Sequence, residues 1–297
     1  MKKNKPELPE RNEEDADLSS PVGEKLQKVL ARAGLGSRRE MERAIEQGRV
    51  IVNGETAKLG DRVELSDRID LDKKRLSLAP AAENGIKVLL YNKPEGEICS
   101  RSDPEGRPTV FDNLPSLKNE RWISVGRLDF NTSGLLLFTT DGELANRLMH
   151  PSSTIDREYL IRIQGDVDDK MKTRLQEGIL LDDGLAKFTD VVDGAGSGTN
   201  RWFYCVVMEG RNREVRRLWE SQGVKVSRLK RVRFGNIFIP SHVRVGQWTE
   251  LSPKEIKELC ITAGVEMGKK PRSLTQAEKT ARKRHQKKLR AGKSRRK

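Results

Sequence analysis

The sequence predicts an α+β protein: a small unit of helices and a hairpin, then a larger domain on a mixed, mostly antiparallel sheet with flanking helices. Three observations predict it. Over residues 24–71, apolar residues at helical spacing give way to a hairpin signal and short alternating runs. From about residue 85 to 262, strand-like runs and helical segments mix without the regular alternation of a doubly wound fold. A chain of 297 residues, 35% of them hydrophobic, can also bury one large or two modest cores beneath a charged surface. The divisions read as a disordered segment 1–23, a small unit 24–83, a large domain 84–262 and a basic, disordered tail 263–297.

In residues 24–33, Leu26, Val29, Leu30 and Ala33 fall on one helical face while Lys25, Lys28 and Arg32 line another, and Gly34 suits the stop. Ser37 with Glu40 three residues later is a capping-box pattern that opens a second helix through Met41, Ala44 and Ile45, ending at Gly48. Arg38, Arg39 and Arg43 ride on it. Val50, Ile51 and Val52 run into Asn53-Gly54, the dipeptide best suited to the positive backbone angles of a two-residue hairpin turn. Val63, Leu65, Ile69 and Leu71 supply further strand before the chain loosens over 80–84.

In the larger domain, 86–91 reads as a central strand halted at Pro94 and Gly96. Strands at 122–125 and 135–138 flank a loop that carries Asp129, and such loops on rigid scaffolds are where functional groups concentrate. Asp141 caps a helix holding Leu144 and Leu148, terminated by His150-Pro151. Strand 157–163, helix 168–176 and strand 203–208 follow, and 194–198 reads as a flexible loop tip. The turn 209–212 leads into a helix with Val215, Leu218, Trp219 and Gln222 on its apolar side, Arg213, Arg216 and Arg217 opposite, and Gly223 as its stop. A basic strand spans 228–233.

The formal charge of +14 is concentrated at one end. Residues 268–297 carry fourteen Lys or Arg against the single acid Glu278, so the remaining chain is close to neutral. Local clusters must therefore supply specific contacts, while the tail can grip phosphates without regard to sequence and with strong salt dependence. No apolar run is long enough to cross a bilayer, which argues against a membrane protein. Cys99, Cys205 and Cys260, like His150, His242 and His285, are too scattered for a disulfide framework or a metal site, so no metal and a reducing, cytoplasmic compartment are expected. No paired Ser and His, phosphate-cradling glycine loop or reactive-cysteine signature is present, which leaves carboxylates and arginines to carry any chemistry.

Two families are resembled. Lys25-Leu26 through Leu30, Ala33-Gly34, Ser37-Arg38-Arg39, and Arg49-Val50 to Val52-Asn53-Gly54 resemble the RNA-binding domain named after small ribosomal protein four. The segment from Gly126-Arg127-Leu128-Asp129 through Asn131-Thr132-Ser133-Gly134 is similar to the catalytic motif of the RNA pseudouridine synthases. Tyr91-Asn92-Lys93-Pro94, Arg157-Glu158-Tyr159 and the stretch from Glu209 to Arg217 are similar to that superfamily's other motifs, in the branch acting on bacterial ribosomal RNA. Together the resemblances cover nearly all of 24–251, with four motifs in the family's order. The family often has a small aliphatic residue after its aspartate; here it is Phe130.

The resemblance implies site-specific isomerisation of uridine to pseudouridine in large-subunit ribosomal RNA, with no cofactor. It assigns the essential carboxylate to Asp129, as nucleophile or as base toward the ribose, with Arg216 paired to it and Tyr159 stacked on the uracil. RNA contacts fall to Lys25, Lys28, Arg32, Ser37, Arg38, Arg39, Arg49, Asn53, Arg127, Asn131, Arg211, Asn212, Arg213 and Arg217, and Lys93-Pro94 shapes a loop. The partner is ribosomal RNA or a precursor large subunit, met by a monomer. Taken singly, Asp129 reads as an Asx turn, Tyr159 as core and Arg216 as a solvated helix face; only their joint occurrence points to catalysis. A synthase acting on small-subunit or transfer RNA, and a non-catalytic ribosome-assembly factor, are the competing readings.

Overall fold

The computed structural model describes residues 23–64, 66–76, 85–118, 120–196 and 200–265. The expected disorder of 1–22, the strand position of Leu65, the loosening over 80–84, residues 197–198 of the 194–198 tip and the basic tail from 266 onward lie outside the described residues. The chain divides into two compact units, Met1–Ala79 and Pro80–Lys297.

In the first unit, β1 (Glu24–Lys25) pairs antiparallel with β4 (Arg62–Val63), which delays the first helix by two residues, so that α1 is Leu26–Arg32. The second helix, α2 (Arg38–Glu46), opens on the capping box: the Ser37 hydroxyl accepts from the Glu40 N–H and the Glu40 carboxylate from the Ser37 N–H. The hairpin β2 (Val50–Val52) and β3 (Glu55–Thr56) turns at Asn53 and Gly54, with φ of 53° and 96°. β5 (Ile69–Leu71) pairs with β2, and β6 (Lys74–Arg75) with β5. Leu26, Leu30, Ala44, Ile45, Val50 and Ile69 close a core of their own.

The second unit is organised by one large sheet. Its elements are β7 (Val88–Lys93), β8 (Ile123–Val125), β9 (Ser133–Thr139), α3 (Gly142–Met149), β10 (Arg157–Gln164) and α4 (Asp169–Glu177). They continue with the hairpin β11 (Ile179–Leu181) and β12 (Gly184–Ala186), then β13 (Asp190–Asp193), β14 (Asn200–Val207) and α5 (Glu214–Glu220). The last are β15 (Lys225–Phe234), β16 (Ile237–Phe238), β17 (Trp248–Glu250) and α6 (Pro253–Thr262). The strand order is β13-β14-β10-β15-β9-β7-β17, with β8 on β9 and β16 on β15. Pairing is antiparallel except between β15 and β9, as the expected mixed, mostly antiparallel sheet requires.

Alternation along β7 and β9 separates two cores. Leu89, Tyr91, Leu136 and Phe138 face one that includes Leu175 of α4 and Val215, Leu218 and Trp219 of α5. Val88, Leu90, Leu135 and Leu137 face another, built with Leu144 and Leu148 of α3 and Ile256 and Leu259 of α6. Helices thus cover both faces, so the central strands read as unbroken apolar runs rather than alternating ones.

Where β15 runs parallel to β9, Arg231 lies beside Gly134 while, on its other side, it pairs with Tyr159 of β10. Gly134 has φ of 102°, and any Cβ there would collide with the Arg231 carbonyl. This close approach sets Tyr159, Arg231 and the end of the Asp129 loop in one row across three strands.

Candidate active site

Asp129 lies between β8 and β9, on a loop restrained from several directions. The Thr132 N–H donates to the Asp129 carbonyl at 3.0 Å, and the Gly96 N–H to the Phe130 carbonyl at 2.9 Å. Lys93 is 0% exposed; its ammonium donates to the carbonyls of Pro94 at 2.9 Å, Thr132 at 3.0 Å and Asp129 at 3.3 Å. Three donors thus meet three acceptors, which permits a buried ammonium although burial lowers its pKa from the ordinary lysine value. Cys99 closes the other side, its sulfur bonded to both the N–H and the carbonyl of Leu128.

Arg216 does not pair directly with Asp129, contrary to the expectation. It is 7% exposed; Nη2 donates to the Asn131 carbonyl at 2.9 Å and Nη1 to the Val226 carbonyl at 3.1 Å, while Nε is buried without a partner. Burial lowers its pKa, Arg213 adds to the effect, and the Asp129 charge opposes it. Arg216 therefore acts on the carboxylate through space and on its loop through the backbone. The helix face that reads as solvated from Arg216 taken singly is partly interior, with Arg216 buried and Arg213 exposed.

The Asp129 carboxylate is half-buried and has no hydrogen bond or ion pair to a side chain among the described residues. It lines an open cleft of about 1550 Å³ together with Arg127, Tyr159, Asn212 and Arg213. Tyr159, 8% exposed, opens on the same cleft. Three residues in the lining, Arg157, Arg231 and Glu214, were missed in the sequence as site residues. Arg157 donates through Nη1 to the carbonyls of Ile155 at 2.9 Å and Met208 at 2.6 Å. Arg231 donates through Nε to the Leu135 carbonyl at 2.7 Å, and its Nη2 has no partner. Both guanidinium groups lie against the Phe234 ring, at 5.2 and 5.4 Å. The buried Glu214 carboxylate accepts the Arg211 N–H at 3.2 Å, and desolvation raises its pKa above the ordinary glutamate value. In the sequence Arg157 stood out only as part of the Arg157-Glu158-Tyr159 motif and Arg231 only as a member of the basic strand 228–233, where spacing does not say which cation turns inward.

The expected RNA contacts divide by occupancy. Arg127 and Asn212 are exposed in the cleft, and Asn131 is exposed on the loop. Arg213 is exposed with φ of 47°, and its nearest acid is Glu220 at 3.7 Å. Arg217 is held by Asp183 through two bonds of 2.8 and 2.9 Å, and Arg211 by Glu209 and the carbonyls of Asp183 and Leu185. In the first unit Lys25, Arg38 and Arg39 are exposed and form no ion pair among the described residues. Lys28 and Arg32 both pair with Glu24, and Arg49 chelates Asp72. Ser37 is engaged as a cap, and the Asn53 amide bonds Asp67 and the Arg68 N–H. No group of three His, Cys, Asp or Glu able to hold a metal occurs among the described residues, and no helix there is long and apolar enough to cross a membrane.

The profile of the family described as RNA pseudouridylate synthase matches residues 87–221, and that of the S4 domain residues 24–69. A ribosomal large subunit pseudouridine synthase B from Pseudomonas aeruginosa is 56% identical over 271 residues, covering 91% of this chain and 70% of its own. The chain belongs to the ribosomal large subunit pseudouridine synthase B family. A second relative of that name, from Vibrio vulnificus, is 53% identical over 92% of this chain and 90% of its own. A crystal structure of a pseudouridylate synthase, 27% identical, superposes with a TM-score of 0.56 over 79% of this chain and 99% of that one. As a member of this synthase family the chain is an isomerase that modifies RNA, and its first unit is an S4 domain.

Proposed function

We propose that the chain converts a chosen uridine of large-subunit ribosomal RNA to pseudouridine with Asp129 as the essential carboxylate and no cofactor. The observation that carries this is the Asp129 carboxylate, free of side-chain partners among the described residues, on a restrained loop beside Tyr159 in an open cleft. The relatives' name supplies the large subunit as target.

The reaction breaks the bond from C1′ of ribose to N1 of uracil, turns the ring, and joins C5 to C1′; the C5 proton leaves and N1 ends protonated. Asp129 stabilises or captures the ribose centre, or removes a proton from it. Tyr159 provides a face against which the detached uracil turns. Arg216 holds the Asn131 carbonyl, and with it the loop, and sets a positive charge near the carboxylate. The target must leave its stack to enter such a cleft. Arg127, Asn212 and Arg213, exposed at the cleft, meet the RNA there, and the exposed Lys25, Arg38 and Arg39 meet it from the S4 domain; their exposure supports this reading. Ribosomal RNA or a precursor large subunit is the partner, the chain acts as a cytoplasmic monomer, and 24–83 and 84–262 serve as the RNA-binding and catalytic domains.

Mapping pseudouridines in ribosomal RNA from a strain lacking this chain should reveal one missing large-subunit site. The unaltered gene should restore it, while Asp129→Asn should lower its rate of formation by about a hundredfold to ten-thousandfold. Loss of a small-subunit or transfer-RNA site instead would redirect the substrate. Full restoration by Asp129→Asn would leave a non-catalytic assembly role.

A further inference from the structure

Among the described residues, four of the large apolar side chains left exposed, Phe130, Met149, Leu185 and Met208, line the cleft that holds Asp129. Phe130 is the one aromatic residue of the four and directly follows the carboxylate. It is 44% exposed, whereas Phe111, Phe138, Phe188 and Phe203 meet other aromatic rings. No ring or cation contacts it among the described residues.

The exposure does not arise from a slack loop. The Phe130 carbonyl accepts from the Gly96 N–H, the preceding carbonyl from Lys93 and the following one from Arg216. A backbone restrained at three successive peptides therefore offers a planar apolar face to the cleft, one residue from the reacting group. Rigid aromatic faces suit unstacked bases because every base has a π-face. Tyr159 is at the same cleft but nearly buried, so the two rings stand at different depths.

We propose that Phe130 stacks on the base adjoining the everted uridine and fills the space that uridine leaves. This role rests on the reading of the site as a pseudouridine synthase. Eversion is unfavourable because a stacked neighbour loses its partner, and a side chain that replaces the partner offsets that loss. Its contribution should appear only when the target begins inside a stack, so Phe130 would make the enzyme prefer structured over unstructured RNA.

The test uses the full-length chain and protein-free large-subunit RNA carrying tritium at C5 of uridine, since product formation releases that tritium. The same uridine is presented in the folded RNA and in a short single-stranded fragment. Phe130→Ala should lower kcat/KM on folded RNA about tenfold to a hundredfold, and by less than about threefold on the fragment. Phe130→Leu, which keeps apolar bulk without a planar face, should follow the alanine variant, and Phe130→Trp should match the unaltered chain. Equal losses on both RNAs would mean that the ring only shapes the Asp129 loop, and no loss on folded RNA would remove the stacking; either overturns the proposal while the activity stands. Absence of tritium release by the unaltered chain from both RNAs and from a large-subunit precursor particle carrying the same label would overturn the activity itself, and this role with it.

Discussion

The cations of the Asp129 loop and those of the S4 domain occupy opposite environments. Lys93, Arg216 and Arg231 are buried and spend their donors on backbone carbonyls, at 3.0 Å to Thr132, 2.9 Å to Asn131 and 2.7 Å to Leu135. Lys28, Arg32 and Arg49 lie at the surface in ion pairs, while Lys25, Arg38 and Arg39 are exposed without one among the described residues. The same residue types therefore do two different things: inside, they hold a loop in shape; outside, they pair with surface carboxylates or, at Lys25, Arg38 and Arg39, stand open to phosphates. Net charge in the sequence does not distinguish the two.

The largest expected effect tests the interior half of that comparison. Lys93→Met would strand three carbonyls and should destabilise the second unit by about 3 kcal/mol, with a matching fall in kcat as the Asp129 loop relaxes. Equilibrium unfolding with the activity assay measures both, and a variant as stable and active as the unaltered chain would break the distinction.

A smaller effect concerns the buried carboxyl group of Glu214, whose neighbouring cations are Arg211 and Arg157. Because burial raises the Glu214 pKa, the folded chain holds that proton more tightly than the unfolded chain. Its contribution to stability is present below the ordinary glutamate range and is lost as pH rises through the folded value. Glu214→Gln should therefore lose less Tm between pH 5 and pH 8, measured with the unaltered chain under the same buffers at roughly equal ionic strength. Parallel curves for the two proteins would show that Arg157 and Arg211 already compensate the charge.

The smallest change in stability is expected at the surface. Arg38→Ala with Arg39→Ala should alter unfolding free energy by less than about 0.5 kcal/mol. The slope of log affinity for ribosomal RNA against log salt should become shallower by about 1 to 2. An unchanged slope would remove these two side chains from the RNA interface and sharpen the contrast toward the cleft.

Local signals were the most legible part of the sequence. The Ser37 capping box and the Asn53-Gly54 turn each depend on a few adjacent residues, and both recur in the structure. The β8–β9 placement of Asp129 and the Asp141 cap were also readable. The hairpin of β11 and β12 and the short strands β16 and β17 escaped notice, since two or three residues show no periodicity. The α6 helix was overlooked although Ser252 and Glu255 form a capping box that sequence alone displays. Arg216 was correctly placed on a helix but assigned the wrong contact, because spacing shows which residues share a face and not what covers it. Arg231 was invisible as a cleft residue until the parallel pairing of β15 with β9 brought it beside Gly134.

That pairing also bears on the order in which the site is completed. The Asp129 loop emerges early during synthesis, but Arg216 is 85 positions beyond the Asn131 it grips and Arg231 is 96 beyond Leu135. Contacts this distant along the chain close late and slowly. A nascent chain that has passed residue 134 but not yet released β15 can form the Lys93 and Gly96 bonds to the aspartate loop yet lacks the Arg216 and Arg231 contacts, so the site is completed only once β15 has been made.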